Sequence, residues 1–467
     1  MDTRCLDAVK SSLAWFNEAV FYHVYALGML GCEKQNDFGA VRHRLGDLDA
    51  LIPYWESLGV NAILIGPICS SSRHGYDTAE FFRIDERLGD NDDFARFVQS
   101  CHHAGIRVIV DAVFNHVGRD FWAFRDVKQY REHSAYCDYF CGLNFTRNNA
   151  SNDGFSYETW EGHEELVKLN LSNPKVREHL FLAVEHWMRD YKIDGLRLDA
   201  ADCLDPNFIR ELRVFCKSRR PDFYLVGEVI HGDYRQWANA DMLDGTTNYE
   251  AYKGLWSSQN DGNYHEIAWT LKREFAQKQG IYENLAMLSF ADNHDVARLA
   301  SVLKDEDDIF AVYSLLFSMP GVPCIYYASE WGMRGKKLQG YEADDEIRKP
   351  VLAEDLAAGR LESAHPQASA LRQAVARLAH FRRRHKALSC GSYTEWGVSA
   401  RWLVFSRSFG GEELICAISG EAMPCEIDIA MPSGDYVDIL NGGELRVEAG
   451  RARMPLYPKW LRVWRRR

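Results

Sequence analysis

Eight short strand-like runs recur between residues 19 and 328, and most of them are separated by helical patterns. They fall near 19–27, 61–68, 107–116, 195–201, 224–230, 242–248, 286–294 and 324–328, the sixth being the weakest. Helical stretches lie near 45–58, 92–104, 174–191, 206–219, 264–277 and 308–317, and a last one near 367–385 ends the series. Runs that are apolar throughout predict strands covered on both faces, as in a parallel sheet. Eight such strands with intervening helices are the number that closes a barrel. The expected fold class is α/β, a (β/α)8 TIM barrel.

Two stretches break the rhythm. Residues 117–170 are rich in aromatics, Asn, Gly and Asp and have no period. So long a run inside a compact domain predicts an inserted subdomain after strand three. Helical pattern resumes at Asn173-Pro174, a cap followed by a first-turn proline. In residues 388–467 the strings WLVFSRSF, ELICAIS and CEIDIAM are short, β-prone and turn-separated. They predict a C-terminal antiparallel β-sandwich domain. The barrel is then expected to take residues 1–116 and 171–387.

Composition excludes some partners. The net charge of −12 makes nucleic acid and anionic lipid poor partners. No apolar run approaches the ~18–20 residues of a spanning helix. MDTRCLDAVKSSLAWF lacks the basic lead and apolar stretch of a signal peptide. The twelve cysteines are scattered, as expected of reduced thiols. Together these features predict a cytoplasmic protein. Cys137 and Cys141 have no second pair to complete a metal site, and His163-Glu164-Glu165 fails the HExxH pattern because position 167 is Val.

A barrel presents its chemistry at the C-terminal ends of its strands. Four strings place polar groups there: DAVFNH at 111–116, GLRLDAA at 195–201, GEV at 227–229 and FADNHD at 290–295. Asp199, Glu228 and Asp295 would converge from three strands. Arg197 lies two residues before Asp199 and so shares its face of the strand. A guanidinium there favours ionised Asp199, as a nucleophile requires. Glu228, on the neighbouring strand, must then keep a proton near neutral pH. Two carboxyls ~5–5.5 Å apart are what retaining glycoside hydrolysis uses. Asp295, beyond that pair, is placed to grip sugar hydroxyls.

With these strings in order, the chain resembles the α-amylase family of glycoside hydrolases over nearly its whole length. Asp111, Asn115 and His116 match the family's strand-three motif, Arg197 and Asp199 its strand-four motif, Glu228 its strand-five acid, and His294 and Asp295 its strand-seven motif. The resemblance implies Asp199 as nucleophile, Glu228 as acid/base and Asp295 as transition-state stabiliser. Gly75-Tyr76-Asp77 matches a motif whose Tyr floors the cleaved sugar. Asp111, His116, Arg197, His294, Tyr76 and Asp77 are the implied substrate-binding set. Asp344 and Arg348 resemble a pair that holds the second sugar, and Arg298 a residue that orients an acid. Trp122 and Trp160 are candidate sugar platforms, or else pack the insertion.

Val167-Lys168-Leu169-Asn170 is similar to the neopullulanase and cyclomaltodextrinase group. The first strand begins near residue 19, so that group's extra N-terminal domain is expected to be missing. Asp202-Cys203 and Ile230 depart from common family choices on the leaving-group side. The resemblance implies a retaining α-glucan hydrolase acting on α-1,4 bonds of maltooligosaccharides and cyclodextrins. The alternative is a glucanotransferase, or an isomerase or phosphorylase of trehalose synthase or sucrose phosphorylase type. An oligosaccharide is the implied partner, and the chain is a monomer or a homodimer. No cofactor is expected. The loop GCEKQNDFGAVRHR lacks a DxNxDG arrangement, so calcium is possible but not required.

Overall fold

The computed structural model describes residues 14–339, 343–361 and 365–467. Most of the stretch read for a signal peptide, and Cys5 with it, lies outside the described residues. Barrel strands run Phe21–Val24, Ala62–Ile65, Arg107–Ala112, Gly195–Leu198, Tyr224–Gly227, Gly245–Thr246, Leu288–Phe290 and Val322–Tyr326. Strands one to five each pair in parallel with the next, seven pairs with eight, and the eighth returns to the first. The sixth strand has two residues, and the ring closes there through a Thr247–Leu288 bridge. Asn248 N–H donates to Leu288 O at 2.9 Å, and Ala286 N–H to Asp244 O at 3.1 Å. Closure this tight needs glycine at 245, where a Cβ would stand 2.0 Å from Ala286 O.

Alternate residues of the strands fill the barrel. Phe21, Leu64, Ile109, Tyr224, Val226 and Phe290 belong to one buried cluster. The turn Trp15–Glu18 closes its floor, with Phe16 stacked on Tyr224 at 4.3 Å. Asp111 lies two residues beyond Ile109, and Glu228 two beyond Val226. The period that packs the interior therefore also aims these carboxylates into the upper mouth.

The helices follow their caps. Asp205 accepts from Asn207 N–H ahead of Pro206–Arg219. Asp90 and Asp93 form a capping box on Asn91–His103. One helix, Tyr249–Asn260, was not expected from the sequence. Strand three stops at Ala112, and His116 instead opens a small antiparallel sheet of His116–Gly118, Thr159–Trp160 and His163–Lys168. With the helix Trp122–Tyr130, this sheet fills the stretch before Pro174. Its core is aromatic, including Phe124, Phe140 and Phe155, and Arg119 pairs with Asp153 at 2.7 Å.

The C-terminal region is a six-stranded antiparallel sheet facing the strand pair Cys425–Ala430 and Arg451–Leu456. Leu403 and Phe405 of the large sheet join the barrel's outer core, while Val404 joins the core shared with the strand pair. Both faces of the large sheet are thus covered, which explains the buried apolar run Leu414–Ile418. Arg382 and Arg407 are buried at this junction. They donate to the carbonyls of Phe317, Met319 and Ser318, at the C-terminal end of the helix Asp308–Ser318. Arg382 thus caps a neighbouring helix. Among the described residues every cysteine is a free thiol. Cys137 and Cys141 turn to different carbonyls, those of Arg131 and Leu169. No helix of the described residues is long and apolar enough to cross a membrane.

Candidate active site

The mouth of the barrel is organised around one cation. Arg197 Nη1 donates to Asp111 at 2.8 and 2.9 Å and to Asp199 at 3.0 Å, and Nη2 reaches Glu228 Oε1 at 2.8 Å. All four groups are buried. Asp199 and Glu228 are thus held by one guanidinium from adjacent strands, where Leu198 faces Gly227. This supports the short carboxyl separation of a retaining pair.

Burial pushes the Glu228 carboxyl up to about 7, with Arg197 opposing and Asp295 and Asp111 adding to the rise. That is the protonation an acid/base group needs. At Asp199 the sequence-based expectation is reversed. Burial drives its carboxyl well above the ordinary range, with Arg197 pulling the other way and Glu228 adding to the rise. Desolvation outweighs the single guanidinium because that cation is divided among three carboxylates. Burial also raises Asp111 against Arg197. The cluster therefore shares protons, and its titration belongs to the group rather than to one residue.

The backbone after Asp199 is bent to serve Glu228. Ala200 sits in the left-handed region at φ 42°, an arrangement that stores strain beside functional groups. Its N–H reaches Glu228 Oε2 at 3.3 Å, and the next N–H, of Ala201, bonds Glu228 O at 2.9 Å.

Tyr76 and His294 form one wall, with parallel rings 5.6 Å apart. Tyr76 donates to Asp111 at 2.9 Å, so its oxygen accepts from His294 Nε2–H. His294 Nε2 also lies 3.1 Å from Asp295, and its Nδ1 has no partner among the described residues. His116 Nε2 is likewise buried without a hydrogen-bond partner among the described residues, 4.0 Å from Asp199. Burial pushes His116 down to about 3 and His294 well below its ordinary value. Both are neutral rings with an unused nitrogen, the kind of group a sugar hydroxyl can satisfy. Asn115 Nδ2 faces His116 Nδ1 at 3.2 Å, so that side chain is engaged in the hydrogen-bond network.

Asp295 lies at the rim, about a third exposed. Arg348 donates to it at 3.0 Å, to His294 O at 2.9 Å, and pairs with Asp344 at 2.7 Å. Lys337 donates to Asp295 O at 2.8 Å. The structure thus brings together Tyr76, Asp111, His116, Arg197, Asp199, Glu228, His294, Asp295, Asp344 and Arg348. Asp77 is turned away. It is buried and accepts from His74 N–H at 3.1 Å, holding the loop that carries Tyr76.

Arg298 departs from expectation. Its Nε and Nη1 bond Ile347 O and Tyr327 O, and it lies over the Tyr326 ring. It faces Asp292 through Ser329 rather than a mouth carboxylate. The chain turns after Asp295 and carries position 298 into the wall behind strand eight. Trp122 packs between Tyr136 of the insertion and His179 of the barrel helix Pro174–His186, while Trp160 lies 5.7 Å from His116, beside the mouth.

Four neighbours were missed in the sequence. Tyr249 donates to Glu228 Oε1 at 3.3 Å, and Asn293 Nδ2 donates to Tyr249 at 3.1 Å. His23 meets the His294 ring edge-on at 4.9 Å, and Arg348 lies over Tyr25 at 4.7 Å. Tyr249 follows the sixth strand, and His23 and Tyr25 lie at the end of the first. Applying the strand-end rule to all eight strands would have found them.

Residues 35–360 match the family described as Alpha-amylase, "Alpha amylase, catalytic domain". Neopullulanase 2 of Thermoactinomyces vulgaris is 31% identical over 95% of this chain and 77% of its own length. A cyclomaltodextrinase of a Bacillus species is 34% identical over 69% of this chain and 60% of its own. The chain therefore spans between 60% and 77% of the length of these two relatives. The solved cyclic α-maltosyl-(1→6)-maltose hydrolase of Arthrobacter globiformis superposes with a TM-score of 0.76 at 26% identity, covering 96% of this chain and 98% of that one. The chain belongs to the α-amylase family of glycoside hydrolases.

Proposed function

We propose that the protein is a retaining α-glucan hydrolase that cuts α-1,4-glucosidic bonds of maltooligosaccharides and cyclodextrins by double displacement. The observation that carries this is Arg197 bridging Asp199 and Glu228 at the mouth of the barrel. Asp199 attacks the anomeric carbon while Glu228 gives its proton to the departing glycosidic oxygen. Glu228, now ionised, takes a proton from water, which attacks the same carbon and releases Asp199. Asp295 stabilises the oxocarbenium-like transition state of each step. Tyr76 floors it, His116 and His294 take its hydroxyls, Asp111 holds Arg197, and Asp344 with Arg348 holds the next sugar. Asp77 supports the Tyr76 loop. The scheme uses only the chain's own side chains, without a cofactor.

The names of the neopullulanase and cyclomaltodextrinase relatives support this substrate class. The cysteines, free thiols among the described residues, support a reducing, cytoplasmic setting. The protein acts as a monomer or homodimer. A second reading, transfer to a sugar acceptor, is favoured by Ile230. This apolar residue, 44% exposed, lies two positions past Glu228 where a sugar face can displace water. Incubation with maltoheptaose, β-cyclodextrin and pullulan separates the readings. Ring opening with maltose and glucose building up supports hydrolysis. Chains longer than maltoheptaose support transfer, and no turnover of any of the three rejects the maltooligosaccharide reading and moves the search to sucrose, trehalose or α-1,6-linked sugars.

A further inference from the structure

We infer that Tyr249 is a positioning residue for Glu228, and that it confines the catalytic proton to Oε2 of that carboxyl. The inference rests on the acid/base reading of Glu228. Oε1 already faces two donors, Arg197 Nη2 at 2.8 Å and the Tyr249 hydroxyl at 3.3 Å. The hydroxyl is free to donate because its oxygen takes Asn293 Nδ2–H at 3.1 Å. A carboxyl oxygen with both lone pairs engaged by donors has no place for a proton. Among the described residues Oε2 has only Ala200 N–H, at 3.3 Å, and its remaining lone pair carries the proton.

Tyr249 is itself fixed from two sides. It is the first residue of the helix Tyr249–Asn260, which Asn248 caps through Ala251 N–H at 2.9 Å. Asn248 Nδ2 donates to the buried Glu274 at 2.8 Å, which anchors the cap behind the barrel. On the other side, Asn293 Oδ1 accepts from Asp295 N–H at 2.8 Å. One amide therefore orients Tyr249 and holds the backbone of Asp295, tying the acid/base to the rim carboxylate.

The charged groups facing Glu228 are Arg197 and Asp199 from strand four, Asp111 from strand three and Asp295 after strand seven. Tyr249 is the neutral donor that strand six adds to this set. Its hydrogen bond favours ionised Glu228, so removing it lets the carboxyl keep its proton to higher pH. It also opens a second oxygen to the proton, in the wrong orientation for transfer.

The test is the pH dependence of kcat/KM for Tyr249→Phe and Asn293→Ala. Phe keeps the ring that packs on Phe290 at 5.0 Å, so the fold is preserved. On maltotriose, Tyr249→Phe is expected to move the alkaline limb upward by about one pH unit and to lower kcat about tenfold. Asn293→Ala is expected to move the limb the same way by less. A nitrophenyl α-maltoside, whose leaving group departs without a proton, is expected to lose far less. A uniform loss with an unmoved limb, or an equal loss on both substrates, would overturn the inference. Glu228→Gln separates the two levels. If it still turns over maltotriose, the acid/base reading fails first. If it is inactive there and Tyr249→Phe leaves the limb in place, only the positioning role fails.

Discussion

Arg197 holds Glu228 through Nη2 at 2.8 Å while its Nη1 serves Asp111 and Asp199. The cation belongs to the nucleophile and the acid together, not to Asp199 alone as its place in the sequence indicated. Three buried carboxylates around one guanidinium cannot all ionise cheaply. The site therefore holds a proton in reserve before any substrate arrives.

Arg197→Lys keeps one charge but loses the fork that spans two strands. Turnover of maltoheptaose is expected to fall by about three orders of magnitude with the circular dichroism spectrum unchanged. Retention of a tenth of the activity would show that a point charge suffices and that the bridge is not required.

Because burial raises Glu228 to about 7, the free enzyme loses its general acid as pH rises through that value. kcat/KM is expected to fall above pH 7. Asp199 must ionise to attack, and its raised carboxyl puts the acid limb above the ordinary range for aspartate. The window of activity is therefore narrow. A profile flat from pH 5 to 9 would be incompatible with these environments.

Two buried glutamates outside the reaction carry a stability signature. Burial raises Glu274 to about 8 and Glu330 to about 7, against about 4.3 in an unfolded chain. The folded state then binds more protons than the unfolded state between those values. Stability from these groups is full below about pH 4 and is lost as pH rises through 7 to 8. Glu274→Gln keeps an acceptor for Asn248. Its Tm is expected to exceed the parent's by about 2 °C at pH 8.5, with the gap closing near pH 5. An advantage that is the same at both pH values would contradict the assignment.

Gly245 marks the weakest joint of the barrel. Alanine there would put a Cβ 2.0 Å from a backbone carbonyl that cannot swing aside. Gly245→Ala is expected to cost more than about 3 kcal/mol in urea unfolding, or to yield no soluble protein. A loss below about 1 kcal/mol would mean that strands six and seven can part without harm.

Where period and cap agreed, the sequence was legible. A helix was expected to start at Asn173-Pro174, and Asn173 does cap Pro174–His186 by accepting from Lys175 N–H. Strand-end logic located the Arg197 cluster because Ile109 and Val226 share faces with Asp111 and Glu228. It failed where tertiary packing removed the pattern. The helix Tyr249–Asn260 buries Gly254, Ser257, Ser258 and Gln259 as well as Leu255, because two helices and a barrel strand cover it. Polar residues on several buried faces leave no apolar stripe to read. With that helix obscured, Tyr249, just beyond the sixth strand read at 242–248, was missed. Arg298 was misplaced because a turn after Asp295 cannot be read from motif spacing. The upward direction at Asp199 depends on burial and on three converging strands, which a linear string does not show.

Trapping the glycosyl ester reads the central assignment most directly. The protein is incubated with a fluorinated α-glucosyl fluoride, digested and mapped by mass spectrometry. One fluoroglucosyl unit per chain is expected, on the peptide carrying Asp199, and Asp199→Asn should take up none. Label on Glu228 or Asp295, or rapid turnover that releases the β-anomer with no label on any peptide, would contradict Asp199 as the nucleophile of a retaining enzyme.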